Sequence, residues 1–213
     1  MGDEGKAAYR VRPATSAATR AIADVLLQQV THDGFHDFFF PGQDEYPEDF
    51  RDWWWRYTRR HVLRPWLMTL VGEDAATGVI VGMAMWAFQP RPEWAPSRLG
   101  STSRRIRCRT RQYLRIADAL RERYYPNCAV DGEAMAELGP VMTELEKKLW
   151  KGEDRVSWYC FEIAVDRTWP GAQELWDALM QWGPERAQVD QVAAFAGAGT
   201  PDELRGMECL GYA

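Results

Sequence analysis

The chain has 213 residues, 46% of them hydrophobic and 27% charged, with a formal net charge of −5 at pH 7. Those values suit a folded soluble protein and argue against nucleic acid or an anionic membrane as the main partner. No run approaches the roughly 18 apolar residues of a membrane span, and residues 1–16 lack the apolar core of a secretory signal, so a cytoplasmic protein is expected.

Residues 9–15, YRVRPAT, alternate in polarity and reach Pro13, which predicts a first strand. Thr15 or Ser16 then stands where a helix cap is wanted. Ala18, Ile22, Val25 and Leu26 continue at helical spacing to about residue 28. Residues 30–50, VTHDGFHDFFFPGQDEYPEDF, are aromatic, acidic and rich in turn formers. Asp49 is placed to cap a second helix, FRDWWWRYTRRHVLRPW, which Pro65 ends or kinks. Trp53, Trp54 and Trp55 cannot all share one helical face, because successive residues point about 100° apart. At least one must face a pocket, a groove or solvent.

WLMTLVGED and GVIVGMAMWAF predict an apolar hairpin that turns at residues 73–78. Between residues 89 and 155 the pattern changes. Pro90, Pro92 and Pro96 break the chain, and SRRIRCRTRQYLRIADALRERYY and GEAMAELGPVMTELEKKLW predict two helices. They read as a helical insertion between strands of a single domain spanning residues 1–213. The arginine run offers a phosphate grip. Alternatively, Leu114, Ile116, Ala117, Leu120 and Tyr124 give an amphipathic helix with an apolar side. The last third reads strand (158–165), loop, helix (about 172–188), strand (192–196) and short helix (201–209). Such a unit implies parallel or mixed strands covered by helices. Cys108, Cys128, Cys160 and Cys209 form no C-x-x-C pair, so reduced cysteines are expected.

Taken in order, YRVRPAT, GVIVGMAMWAF, LWKGEDRVSWYCFEIAVDRTW, ALMQWGPERAQVDQVAAFAGAG and MECLGY resemble segments of the GNAT N-acetyltransferase superfamily, most of all its branch common in fungi. The resemblance implies an α/β fold, with a mixed central sheet flanked by helices, and acetyl transfer from acetyl-CoA to an amine. It implies that the strand at 158–165, including Ile163 and Val165, lines the pantetheine arm with its backbone. It implies also that the loop with Gly171 and Ala172 holds the pyrophosphate at a helix N-terminus. The loop departs from the family's Q/R-x-x-G-x-G/A pattern. Pro170 has no N–H, and Gln173 and Leu175 stand at glycine sites where side chains would crowd a phosphate. A degenerate CoA loop is expected. Met207 stands where the family carries a proton-donating tyrosine, and Gly183-Pro184 stands inside the following helix, costing a hydrogen bond and about 3 kcal/mol unless it marks a kink. In that fold a further strand follows, and the sequence reaches Ala213 where it would begin.

Acid–base candidates are few. Glu162 lies among Tyr159, Phe161 and Ile163, where desolvation would raise its pKa toward the general-base range. The family's acid falls one residue earlier, at Phe161, so strict alternation turns Glu162 to the opposite face as a surface carboxylate. His36, beside Asp33 and Asp37, is the favoured acid–base group, with Asp33 to orient it and His32 as a further candidate. The spacing of His32 and His36 suits a metal, but Gly34 intervenes and no HExxH pattern accompanies them, so no metal is expected. Asp166 reads as a strand-ending turn residue. Phe39, Trp54 and Trp86, with Phe38 and Phe40, suit an aromatic wall around a flat or cationic ligand, with core packing as the other reading.

Three functions fit these residues. One is an acetyl-CoA-dependent N-acetyltransferase of a small-molecule substrate. The second is a GNAT-fold enzyme of secondary metabolism that has dropped CoA for cyclisation, condensation or rearrangement of a natural product. The third is a non-catalytic binding protein. A convergent acid–base pair in a pocket marks an enzyme, and an apolar groove without one marks a binding module. The sequence leaves the oligomeric state open.

Overall fold

Among the described residues, five strands pair in chain order into one sheet, β1-β2-β3-β4-β5. The structure is a computed structural model and describes residues 8–31, 33–64, 66–89, 101–149, 156–197 and 207. β1 (Tyr9–Pro13), β2 (Leu67–Asp74), β3 (Ile80–Gln89) and β4 (Ser157–Val165) are antiparallel neighbours, and β5 (Ala193–Ala196) runs parallel to β4. α1 (Thr19–Val30), α2 (Gly34–Phe39) and α3 (Pro47–Val62) follow β1. α4 (Ser101–Tyr124) and α5 (Gly132–Leu149) lie between β3 and β4, and α6 (Ala172–Asp190) joins β4 to β5. The expected mixed sheet flanked by helices is present.

Both faces of the sheet are covered, which is why β2 and β3 read as unbroken apolar runs. Val71, Met83 and Met85 pack with Ile22 and Leu26 of α1 and Phe50 and Trp54 of α3. On the other face Leu70, Val81, Ala84 and Trp86 pack with Leu175, Leu179 and Met180 of α6. The hairpin between β2 and β3 closes through Gly78, whose φ of 71° lies in the left-handed region that favours glycine. β1 is fastened at the edge by Glu73, which accepts from Arg10 at 2.7 Å and from Arg12 Nε at 2.8 Å.

Several local expectations are corrected. α1 is entered through a 3-10 turn, Ser16–Ala18, without a side-chain cap from Thr15. α3 starts at Pro47, whose missing N–H costs nothing in a first turn. Asp49 is therefore not its cap, and its carboxylate accepts the Cys128 N–H at 2.9 Å instead. By contrast, α6 has Gly183-Pro184 inside it, as its expected bounds require, and runs to Asp190. α4 does not bury the apolar side assigned to it, since Ile116, Leu120 and Tyr124 are exposed. Its charged side meets α3 through Asp118–Arg59 at 2.8 Å, Glu122–Arg56 at 3.1 Å and Arg121–Asp52 at 3.3 Å. Among the described residues, no helix is long and apolar enough to cross a membrane.

Candidate active site

β4 carries an irregularity that builds the site. Met85 pairs with Glu162 and Trp86 with Cys160, so Phe161 is an extra residue opposite β3. Such a bulge resets the alternation of side chains. Cys160 and Ile163 pack toward α6, whereas Phe161 packs with the α1 and α3 core and Glu162 lines a cavity on that same side. The alternation that turned Glu162 to the opposite face is broken here.

The cavity measures about 310 Å³. α2 contributes Phe35, His36 and Phe39, and α3 contributes Trp53, Trp54 and Tyr57. The sheet supplies Leu67, Ala87, Gln89, Tyr159, Phe161 and Glu162, and α5 closes one side with Met135, Leu138 and Met142. α5 is anchored at its start. Asp131 Oδ1 accepts the N–H groups of Glu133 and Ala134 at 2.9 and 3.0 Å, and the Asp131 N–H donates to Phe39 O at 2.9 Å.

Glu162 is the cavity's chemical centre. Protein surrounds it, solvent reaches it in part, and its Oε2 accepts the Tyr57 hydroxyl at 3.2 Å. Burial raises its carboxyl to about 7, opposed by the Tyr57 hydrogen bond. Burial and the neighbouring Glu162 charge in turn push the Tyr57 phenol well above its ordinary value, so it keeps its proton. His61 fixes Tyr57: its Nδ1 donates to Tyr57 O at 2.7 Å, and the two ring centroids are 4.0 Å apart. Cys160 is no competing nucleophile, because burial pushes its thiol up.

His36 lines the same cavity. Asp33 caps α2 by accepting the His36 backbone N–H at 3.3 Å, and the Asp33 carboxylate meets the ring Nδ1 at 2.7 Å. Burial alone would raise Asp33, but the hydrogen bonds from His36 outweigh it and lower its pKa. The His36 ring lies 5.4 Å from that of Trp54. His32 lies outside the described residues, as do residues 201–209 apart from Met207. Asp166 is the turn residue expected, its Oδ1 accepting from Thr168 N and Oγ1 at 2.9 and 2.7 Å.

Phe39 and Trp54 wall the cavity, but Trp86 does not. It is fully buried on the α6 face, where its indole N–H donates to Leu179 O at 3.2 Å. Phe38 is exposed, whereas Phe40 also lines the cavity, buried beside Trp53 at 4.9 Å between centroids. The tryptophan triplet divides as helical geometry requires. Trp53 and Trp54 face the cavity, and Trp55 is held between Arg20 and Arg59 at 5.0 and 4.6 Å. Tyr57 was missed from sequence. The available signal was its spacing, since it follows Trp53 by four residues and stacks on it with an interplanar angle of 15°.

β4 and β5 part at the bulge. β5 pairs with β4 only between Ser157 and Cys160, while β4 runs on through Ile163 to Val165. That edge suits an extended, amide-bearing arm. Pro170 has no N–H to give, and the Ala172 N–H is engaged by Trp169 O at 3.1 Å. Gly171 is buried at the N-cap of α6. Leu175 does not crowd the loop, contrary to the expectation from sequence. Its side chain is fully buried in the sheet against Gly72 and Gly82, where an added Cβ would lie 2.4 and 2.8 Å from it. Gln173 is exposed and its amide donates to Asp177 at 2.8 Å.

Among solved structures, the chain is similar to the histone acetyltransferase HPA2 and related acetyltransferase from Corynebacterium glutamicum. The TM-score is 0.56 at 18% identity, over 96% of this chain and 84% of that one. It is also similar to a tetramutant of the BH1408 protein from Bacillus halodurans, with a TM-score of 0.51 at 13% identity over 96% and 93% of the two chains. At these identities the likeness is one of fold, and the fold is that of the GNAT acetyltransferases. No protein-family model matches the chain, and no curated protein matches it in sequence.

Proposed function

We propose that the chain transfers an acyl group from a thioester to the amine of a small molecule, with Glu162 as the general base. The observation that carries this reading is the buried carboxylate at the β4 bulge, hydrogen-bonded to Tyr57 inside an aromatic cavity. A free amine is mostly protonated near neutral pH and attacks a carbonyl only after losing a proton. A base titrating at about 7 is matched to that task. Glu162 takes the proton as nitrogen attacks, and the aromatic walls limit competing water. Tyr57 holds the carboxylate in place and retains an O–H that can return a proton to a departing thiolate, a role Met207 has no proton to fill. Met207 is buried among the α6-face residues, away from the cavity. Acetyl-CoA, implied by the resemblance, would supply the acyl group, with Ile163 and Val165 to line its pantetheine arm and the loop at Gly171 and Ala172 to hold its diphosphate only weakly. A purely binding role is less well supported, since the cavity contains the acid–base pair that such a module lacks.

Two results are expected. Tyr57→Phe removes a hydrogen bond that lowers the Glu162 pKa, so the rising limb of the pH profile of kcat/KM should move upward from about 7. The rate should fall about 100-fold, the low end of the usual range for a positioned proton donor. A limb that stays in place would separate Tyr57 from the base. Acetyl-CoA should bind more weakly than about 100 μM in calorimetry, since charge-assisted bonds worth roughly 1.5–3 kcal/mol each are missing at the loop. Low-micromolar affinity would show that the loop grips diphosphate despite Pro170. No saturable binding together with no acyl transfer would remove the acyltransferase reading.

A further inference from the structure

We infer that the acceptor is a primary amine carrying a single positive charge on one flat aromatic ring system. This inference rests on the acyltransferase reading and specifies the substrate of the same cavity. A volume of about 310 Å³ is at the small end of ligand sites, which span roughly 300–1,000 Å³, and it suits one ring system rather than a peptide or an oligosaccharide.

The rings are set to receive another ring. Phe35 and Phe39 meet edge to face at 5.0 Å, Trp53 and Tyr57 stack at 5.3 Å, and Phe161 of β4 lines the same cavity. Aromatic pairs favour such offset and edge contacts beyond the area they bury, an advantage an alkyl chain of equal size does not share. Among the described residues, Glu162 is the one carboxylate lining the cavity, while Arg64 lines it as a cation. One ammonium is therefore matched by one carboxylate. A second ammonium on the substrate would be desolvated without a second carboxylate among the described lining residues. Polyamines and basic peptides are disfavoured on that ground. The protonated amine is also attracted to the ring faces on its way to Glu162.

The test measures equilibrium binding of three probes to the full chain at pH 8: 2-phenylethylamine, hexylamine and 1,6-diaminohexane. Acyl transfer to each is assayed separately. 2-Phenylethylamine is expected to bind about 10-fold more tightly than hexylamine, the worth of one or two aromatic contacts. It should exceed the diamine by about 100-fold, the scale of an uncompensated charge in a partly desolvated site. Phe35→Ala, a change at an exposed ring on the cavity rim, should reduce the aryl preference to about 3-fold or less. Equal binding of hexylamine, tighter binding of the diamine, or an unchanged preference in Phe35→Ala would overturn the inference. Acyl transfer to the diamine without aryl preference would overturn it too, yet leave acyl transfer standing. Aryl-selective binding without transfer from any thioester would uphold the inferred ligand class and remove the enzymatic reading.

Discussion

Glu162→Gln is expected to lower kcat/KM at least 100-fold, about 2.7 kcal/mol of barrier, while making the folded protein more stable at pH 8. The amide keeps an acceptor for the Tyr57 hydroxyl but cannot take a proton, so binding of the amine's ring should survive where turnover does not. The stability effect follows from burial. Folded Glu162 titrates at about 7, above its ordinary 4.5, so the folded state binds this proton more tightly than the unfolded chain does. Its contribution is thus fully present below pH 4.5 and is lost as pH rises through about 7. The loss is on the order of 3 kcal/mol, which for a chain of this length corresponds to a Tm difference of roughly 5–10 °C. Glutamine has no such loss. The variant and the parent chain should therefore melt together near pH 4.5 and diverge in favour of the variant by pH 8. Near-normal turnover in Glu162→Gln would move the chemistry to His36 and Asp33. In that case His36→Ala, expected here to have the smaller effect, would become the damaging change.

Gly183→Ala should be the most destabilising single methyl in the molecule's α6 face. An added Cβ would lie 2.0 Å from Trp86 Cη2 and 2.2 Å from Cζ3. Trp86 is fully buried and tethered through its indole N–H to Leu179, so the ring has nowhere to turn. Overpacking of this kind costs about 1–3 kcal/mol and more where neighbours cannot yield. Alanine's better helix propensity returns only about 1 kcal/mol. A Tm lowered by roughly 5–10 °C is the expected reading by calorimetry. Trp86→Leu leaves a cavity and destabilises on its own, but it also frees the space above residue 183. Combined with Gly183→Ala, it should cost less than the sum of the two changes by about 1 kcal/mol or more, the sign of two side chains competing for one volume. Strict additivity would show that Gly183 is present for some other reason.

Local chemistry made part of this molecule legible in the sequence. The apolar runs of β2 and β3, the glycine turn at Gly78 and the strand–loop–helix–strand order near the end follow from periods of two and 3.6 residues. The Asp33–His36 pair was equally readable, because a helix cap and its third residue are neighbours in any α-helix. The wall formed by Phe39 and Trp54 followed from the density of rings in one stretch. Tertiary structure decided the rest. Sequence alternation cannot show where a bulge slips the register, and the bulge at Phe161 is what brings Glu162 into the cavity. Tyr57 and Glu162 are 105 residues apart in the chain, and no local pattern links them. Trp86 was assigned to the cavity as a further aromatic ring, and Leu175 to the phosphate loop because it is near that loop in sequence. Packing against Gly183 and against Gly72 and Gly82 buries both elsewhere. The titration of Glu162 likewise depends on how much protein surrounds the carboxylate, which is a property of the assembled sheet and helices rather than of the residues beside it.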